Sequence, residues 1–186
     1  HVATTLNNLA FSYYLQEKYS KSETLFNRAL ELYKNSVGTE HPEIAVTLNN
    51  LANVYFRQER YLEAEKRLEE ALELSRKILG DNHPDVATSL DNLASIYDIR
   101  GRKSEAETLY LKALEQRKKI LGETHPHVAV SLNNLAKFYQ TQNRLTDSEK
   151  LYQQAIDILN QTLGETHPMT QKVCSNFEAL CAERDS

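Results

Sequence analysis

The chain is poor in cysteine, glycine and long apolar segments, which are features of several common classes of protein. Its two cysteines, Cys174 and Cys181, stand seven residues apart in a segment of helical pattern. Two helical turns separate their backbones by about 10 Å, which is beyond disulfide reach. Five glycines leave no room for a glycine-rich phosphate loop. No apolar run approaches the roughly 18 residues of a membrane span, and no signal peptide pattern is present. Low cysteine content fits a reducing compartment, so we predict a cytoplasmic protein.

An excess of one charge is also lacking. The 22 basic and 26 acidic residues are interspersed and give a formal net charge of -4. Because there is no broad positive field, we expect neither nucleic acid nor a membrane surface as a partner. The chain begins at His1 inside a repeating pattern and without an initiator methionine. We therefore expect it to be part of a longer protein.

A period of 42 residues runs through the whole sequence. Leu-Asn-Asn-Leu-Ala stands at 6–10, 48–52 and 132–136, and Leu-Asp-Asn-Leu-Ala stands at 90–94. Histidine-proline pairs recur at the same spacing, with the histidines at His41, His83, His125 and His167. A fixed period of this size indicates a stack of one repeated supersecondary unit.

Each repeat has the pattern of two helices. In the second repeat, Leu48, Leu51 and Tyr55 follow the i, i+3, i+7 spacing of one helical face. Pro42 suits the first turn of this helix, because the missing N–H would have no partner there. A second apolar stripe covers residues 64–74, and Gly80 after it is a candidate left-handed cap. The repeat is therefore predicted as two antiparallel helices without a strand.

The period sets the boundaries of the array. We predict one all-α array over residues 1–186, with four helix pairs and a closing helix at 168–183. The four repeats cover residues 1–38, 42–80, 84–122 and 126–164.

This pattern resembles the tetratricopeptide repeat (TPR). The residues that carry the resemblance in the second repeat are Leu51, Ala52, Tyr55, Tyr61, Ala64, Ala71 and Leu72. The usual period of that family is 34, whereas the period of 42 with a Gly-x-x-His-Pro link is similar to the repeats of kinesin light chains. The resemblance implies a right-handed α-solenoid of helix-turn-helix units.

One asparagine per repeat faces away from the predicted core. At 100° per residue, this position points opposite to the apolar stripe, so packing does not explain why it recurs. A primary amide offers both donors and an acceptor, which matches a peptide group. The row is Asn8, Asn50, Asn92, Asn134 and Asn176. Neighbours on the same stripes that we include in the candidate site are Asn53, Arg57, Ser95 and Lys137.

The resemblance gives these stripes a candidate role. First helices of tetratricopeptide arrays line the concave groove, and the kinesin light chain asparagines that match Asn50, Asn92 and Asn134 contact an extended cargo peptide. Arg117 aligns with a groove arginine of that family, which implies pairing with an acidic ligand group. Thr88 and Val130 stand where light chains carry a groove lysine.

The sequence thus predicts an interaction scaffold or adaptor that binds an extended segment of another protein. The alternative is a structural or self-associating array, in which the asparagines bond across the stack and the repeat ends associate. We expect a monomer under the first interpretation. Each repeat has one loop histidine, so these residues cannot converge, and only Glu123 could join His125 and His127 as a ligand. We predict no enzyme, no metal and no cofactor.

The assignment of faces can be tested with two neighbouring positions. Ala94→Leu should overfill a helix contact and lower the free energy of unfolding by about 1–3 kcal/mol. Asn92→Ala, on the opposite face, should change it little. Thermal unfolding of both variants makes the comparison, and equal losses would contradict the assignment.

Overall fold

The computed structural model describes residues 1–184. Within that range the protein consists of nine α-helices and no strand. The helices are α1 (Val2–Leu15), α2 (Tyr19–Val37), α3 (Pro42–Arg57), α4 (Tyr61–Leu79), α5 (Pro84–Ile99), α6 (Lys103–Leu121), α7 (Pro126–Thr141), α8 (Leu145–Thr162) and α9 (Pro168–Arg184). The all-α fold class is as predicted from the sequence, and the closing helix ends one residue later than expected.

The helices pack as two compact units, one ending at Gly101 and the other beginning at Arg102. In the first unit, each of α1 to α4 packs against the next helix along the chain. In the second unit, each of α6 to α8 does the same. First helices of neighbouring repeats also touch, α1 with α3, α3 with α5, and α7 with α9. Among the described residues, second helices do not approach each other this way within either unit.

The histidine before each proline caps the helix that follows. His41 is extended, with φ −129° and ψ 137°, and its Nδ1 accepts a hydrogen bond from the Glu43 N–H at 3.3 Å. Pro42 occupies the first turn, where it lacks only a donor that would have no helical partner. His83, His125 and His167 accept equivalent bonds at 3.1–3.2 Å. The histidine of each His-Pro pair therefore caps the first turn of the next helix.

Small residues let the two helices of a repeat approach closely. Ala10 and Ala136 are fully buried on their first helices. Facing them, the buried hydroxyls of Ser22 and Ser148 donate to the carbonyls of Ala10 and Ala136, each at 2.8 Å. The two serines therefore replace the alanine of the other repeats without leaving an unpaired buried group.

The glycine after the second helix differs from the expected left-handed cap. Gly80 has φ 79° but ψ 167°, whereas a left-handed residue has ψ near 47°. Its N–H still donates to the Arg76 carbonyl at 3.0 Å. Positive φ with extended ψ is a region open essentially to glycine alone. The glycine is thus required to turn the chain out of α4 toward the next histidine cap.

The turn inside each repeat also uses one residue of positive φ. Glu17, Glu59 and Asn143 have φ of 59°, 61° and 57°, and Gly101 at the equivalent place has φ 78°. These positions are 42 residues apart, so the period fixes the turn geometry even where the residue is not glycine.

The closing helix is partly solvated, as its sequence indicates. Thr170, Val173 and Leu180 are buried, while Glu178 at the position of the packing alanine is exposed. Cys174 and Cys181 are free thiols, and both are partly exposed. The reason is that no further helix of the described chain covers the outer side of α9.

The histidine cap leads to a stability prediction. His83→Ala removes the acceptor for the Asp85 N–H and should lower the free energy of unfolding by about 1 kcal/mol. His83→Asn keeps a side-chain acceptor at the cap position and should retain most of that stability. Chemical denaturation measures both, and identical losses would show that the cap bond contributes nothing.

Candidate protein-binding face

Adjacent asparagines in the Leu-Asn-Asn-Leu-Ala motif have different environments in the first unit. The first asparagine is buried and bonds to the next repeat. Asn7 Oδ1 accepts from the Thr47 hydroxyl at 3.1 Å, and Asn49 Nδ2 donates to the Ser89 hydroxyl at 2.9 Å. Asn49 also donates to the Ala45 carbonyl at 3.1 Å. These bonds join α1 to α3 and α3 to α5.

In the first unit, the amide of the second asparagine of the motif has no hydrogen-bond partner in the protein. In the described part of the first unit, the side chains of Asn8, Asn50 and Asn92 make no hydrogen bond to the protein. Asn50 and Asn92 are half-buried and Asn8 is exposed. Bonding across the stack, which was the structural alternative for this row, is performed here by the neighbouring residues Asn7 and Asn49.

The second unit is arranged differently. Asn176 Nδ2 donates to Asn133 Oδ1 at 2.8 Å, and Asn133 Nδ2 donates to Asn134 Oδ1 at 3.4 Å. The last two members of the row therefore belong to a local amide network that joins α7 to α9. Lys137, on the same stripe of α7, is exposed.

A small pocket in the first unit collects four of the residues singled out from the sequence. Its volume is about 230 Å³. Asn53 and Arg57 of α3 and Asn92 and Ser95 of α5 line it, whereas Asn8 and Asn50 do not. The remaining lining residues are Tyr14, Ala52, Phe56, Leu68 and Ile96. Ligand pockets for free small molecules usually measure about 300–1,000 Å³, so this one suits a single side chain.

Arg57 supplies the charge of this pocket. Its Nε donates to the Tyr19 hydroxyl at 3.0 Å, and this bond raises the pKa of the guanidinium above its usual value. Burial raises the pKa of the nearby Tyr14 phenol, with Arg57 opposing the shift. Glu17 lies 3.8 Å away, and both side chains are at least half exposed. A pair this exposed is weak, so the positive charge remains available.

Arg117 is buried, whereas the resemblance implied a position in the ligand groove. It is only 4 % exposed, and its Nη1 donates to the Ser131 hydroxyl between α6 and α7. Its equivalents in the other repeats, Tyr33, Ser75 and Leu159, are buried too. The position belongs to the inner side of the second helix, so the guanidinium is engaged inside the second unit rather than exposed to a ligand.

Sequence reasoning missed the role of the first asparagine. A signal was present, because a hydroxyl residue recurs two positions before it at Thr5, Thr47, Ser89 and Ser131. The pairs Asn7–Thr47 and Asn49–Ser89 each combine an amide and a hydroxyl 40 residues apart. This recurrence indicates a hydrogen bond between neighbouring repeats.

Among residues 1–184, no three His, Cys, Asp or Glu side chains come together as a metal-binding group. Within the same range, no helix combines the length and apolar character needed to cross a membrane.

Antiparallel helices that recur at a fixed period along the chain define a helical-repeat protein. The sequence profile described as tetratricopeptide repeat matches residues 1–58, 43–119 and 104–161. The chain belongs to the tetratricopeptide repeat family. No curated protein sequence matches it.

The fold of this chain is also similar to that of solved structures. BtubC (BKLC) from P. vanneervenii is 25% identical with a TM-score of 0.79, covering 94% of this chain and 70% of that one. A Podosopora anserina kinesin light chain-type protein of nearly identical TPR-like repeats is 22% identical with a TM-score of 0.73, covering 99% and 98%. A point variant of that protein is also 22% identical, with a TM-score of 0.73, covering 98% of this chain and 95% of that one.

Neighbouring asparagines provide a matched pair of variants. Asn49→Ala removes the buried hydrogen bonds to Ala45 and Ser89 and should lower the free energy of unfolding by about 1–3 kcal/mol. Asn50→Ala removes none and should stay within about 0.5 kcal/mol of the parent. Urea unfolding measures both, and a large loss for Asn50→Ala would mean that its amide supports the fold.

Proposed function

We propose that this protein is an interaction module that binds an extended segment of another protein along the first helices of its first unit. The first-helix face is defined here by three stripes, Thr4, Asn8, Phe11 and Leu15 on α1, Val46, Asn50, Asn53 and Arg57 on α3, and Thr88, Asn92, Ser95 and Ile99 on α5. Membership of the tetratricopeptide repeat family supports protein binding in general. The amides of Asn8, Asn50 and Asn92 support this particular face.

The observation that carries the proposal is the unused bonding capacity of these amides. Asn50 and Asn92 are half-buried, hold no protein partner, and recur one repeat apart. A partly desolvated amide gains from a partner, and a peptide backbone offers both a donor and an acceptor. An extended segment crossing α3 and α5 would meet one amide on each helix.

Side-chain chemistry of the face indicates what kind of segment fits. Arg57 is the single charged residue among the twelve stripe positions. Phe11, Leu15 and Ile99 are exposed apolar side chains on the flanking helices. We therefore expect a segment with apolar side chains, one of which enters the pocket beside Asn53 and Asn92, and no more than a local acidic group near Arg57.

The test is a peptide-array screen for binders, followed by titration of each hit against variants. Asn50→Ala with Asn92→Ala removes two amide contacts of about 0.5–1.5 kcal/mol each, so affinity should fall by about one to two decades. Lys66→Ala, on the exposed side of α4, is the matched control and should bind like the parent. Hits that bind the double variant as tightly as the parent would place the binding face elsewhere.

Arg57→Ala tests the charge contribution with the same hits. Peptides with an acidic residue should lose affinity, and the loss should shrink as salt rises, because an exposed charge is screened over roughly 8–10 Å. Peptides without an acidic residue should be affected much less.

A further inference from the structure

The histidine that caps each of α3, α5, α7 and α9 can do so only while its imidazole is neutral. In each cap the Nδ1 atom accepts a backbone N–H at 3.1–3.3 Å, from Glu43, Asp85, His127 and Met169 respectively. Protonation puts a hydrogen on Nδ1, which then becomes a donor and cannot accept this bond. A cation is also unfavourable at the positive end of a helix. Acid therefore removes the bond on which each cap depends.

The residue two positions after the histidine determines how well the helix start tolerates protonation. After His83 it is Asp85, whose Oδ2 lies 3.6 Å from the His83 Nδ1. A protonated His83 can donate to this carboxylate, so an ion pair replaces the lost cap bond. Arg76, near the end of α4, is itself paired with Asp81, with 3.1 Å between its Nε and the carboxylate Oδ1. The start of α5 is thus compensated in acid.

At the start of α7, a second histidine takes the place of the acid. The rings of His125 and His127 are stacked, with their centres 5.3 Å apart and their planes 13° from parallel. Burial lowers the pKa of His127, and the charges of Arg117 in α6 and of His125 lower it further. Within residues 1–184, no carboxylate comes within ion-pair distance of either imidazole, and α8 and α9, which also pack in this unit, add no charge to His127.

The caps of α3 and α9 are intermediate between these two. Met169 follows His167 at the same place and carries no charge. Glu43 follows His41, but its Oε2 accepts a hydrogen bond from the Tyr33 hydroxyl at 3.4 Å, and the Tyr33 ring stacks on the His41 imidazole with centres 6.3 Å apart. Protonation at either cap therefore meets neither a paired carboxylate nor a second imidazole.

We propose that the start of α7 is an acid-sensitive element, at which protonation of His125 and His127 releases the first turn of the helix at mildly acidic pH. Two neighbouring imidazolium groups repel each other and the Arg117 guanidinium, whereas the single imidazolium at the start of α5 has Asp85 beside it. The device lies in the second unit and does not depend on the binding face proposed for the first unit.

The direction of the pH dependence follows from proton binding. The cap bond requires a neutral His125 in the folded state, whereas histidines of an unfolded chain take up protons near pH 6.5, roughly. Because folding also lowers the pKa of His127, the unfolded state binds more protons than the folded state below that pH. The stability of this helix start is therefore complete above about pH 6.5 and decreases as the pH falls toward about 5.

Hydrogen exchange of the full chain, followed by mass spectrometry and corrected for intrinsic exchange, tests the proposal. It is measured at about pH 7.5 and about pH 5.5, on either side of the ordinary histidine range. Loss of a helix cap shifts an opening equilibrium by about five- to thirtyfold, so protection of residues 127–131 should fall by about that factor in acid. Protection of residues 85–89, at the start of α5, should fall much less.

Exchanging the residue after the cap should exchange the behaviour of the two helices. His127→Asp gives α7 the arrangement of His83 with Asp85, and its ratio of protection between the two pH values should approach that of α5. Asp85→His makes the converse change and should render the start of α5 acid-sensitive. His125→Asn provides an acceptor that does not titrate and should remove most of the pH dependence at α7. Lys66→Ala is the surface control and should leave both ratios unchanged.

Three results would overturn the proposal. The first is an equal loss of protection at the starts of α5 and α7 in the parent protein. The second is a loss at α7 that persists in both His127→Asp and His125→Asn. The third is general unfolding of the parent at the lower pH, detected by circular dichroism, because the effect of acid would then not be local to α7.

Discussion

Close approach of the two helices within a repeat is the constraint on which the remaining structure depends. Ser22 reaches the backbone carbonyl of Ala10 at 2.8 Å, which only small residues on both helices allow. At this separation, aromatic side chains such as Phe26 fill the neighbouring space and become fully buried. A fixed helix spacing then carries α1 against α3 and α3 against α5, and the polar positions of these three helices fall on one face.

Helix geometry explains why two consecutive asparagines can have different environments. Residues one step apart on a helix differ by 100° in direction, so Asn49 turns toward Ser89 while Asn50 turns toward solvent. The fold therefore uses Asn7 and Asn49 and leaves Asn8, Asn50 and Asn92 unused. Because Asn7 and Asn49 already join neighbouring first helices, the contacts that Asn8, Asn50 and Asn92 make can change without a loss of stability.

Much of the fold could be predicted from the sequence, because period, apolar spacing and the His-Pro caps act locally. The helix bounds follow from such local rules. The site was less predictable, because it depends on neighbours distant in sequence. Nothing near Arg117 indicates that Ser131 takes its guanidinium, and the positive φ of Glu17 and Glu59 becomes visible only by comparison with Gly101. The Gly80 conformation was misjudged because positive φ alone does not fix ψ.

The exposed face of α1 affects local unfolding of this protein. In a stack, each element is held mainly by its immediate neighbours, so an element with one neighbour missing opens at a lower free energy than an interior one. Val2 and Leu9 place α1 in that position at one end of the first unit. Fraying, proteolytic nicking and hydrogen exchange should therefore be faster in α1 than in α3, which packs against α1, α2, α4 and α5.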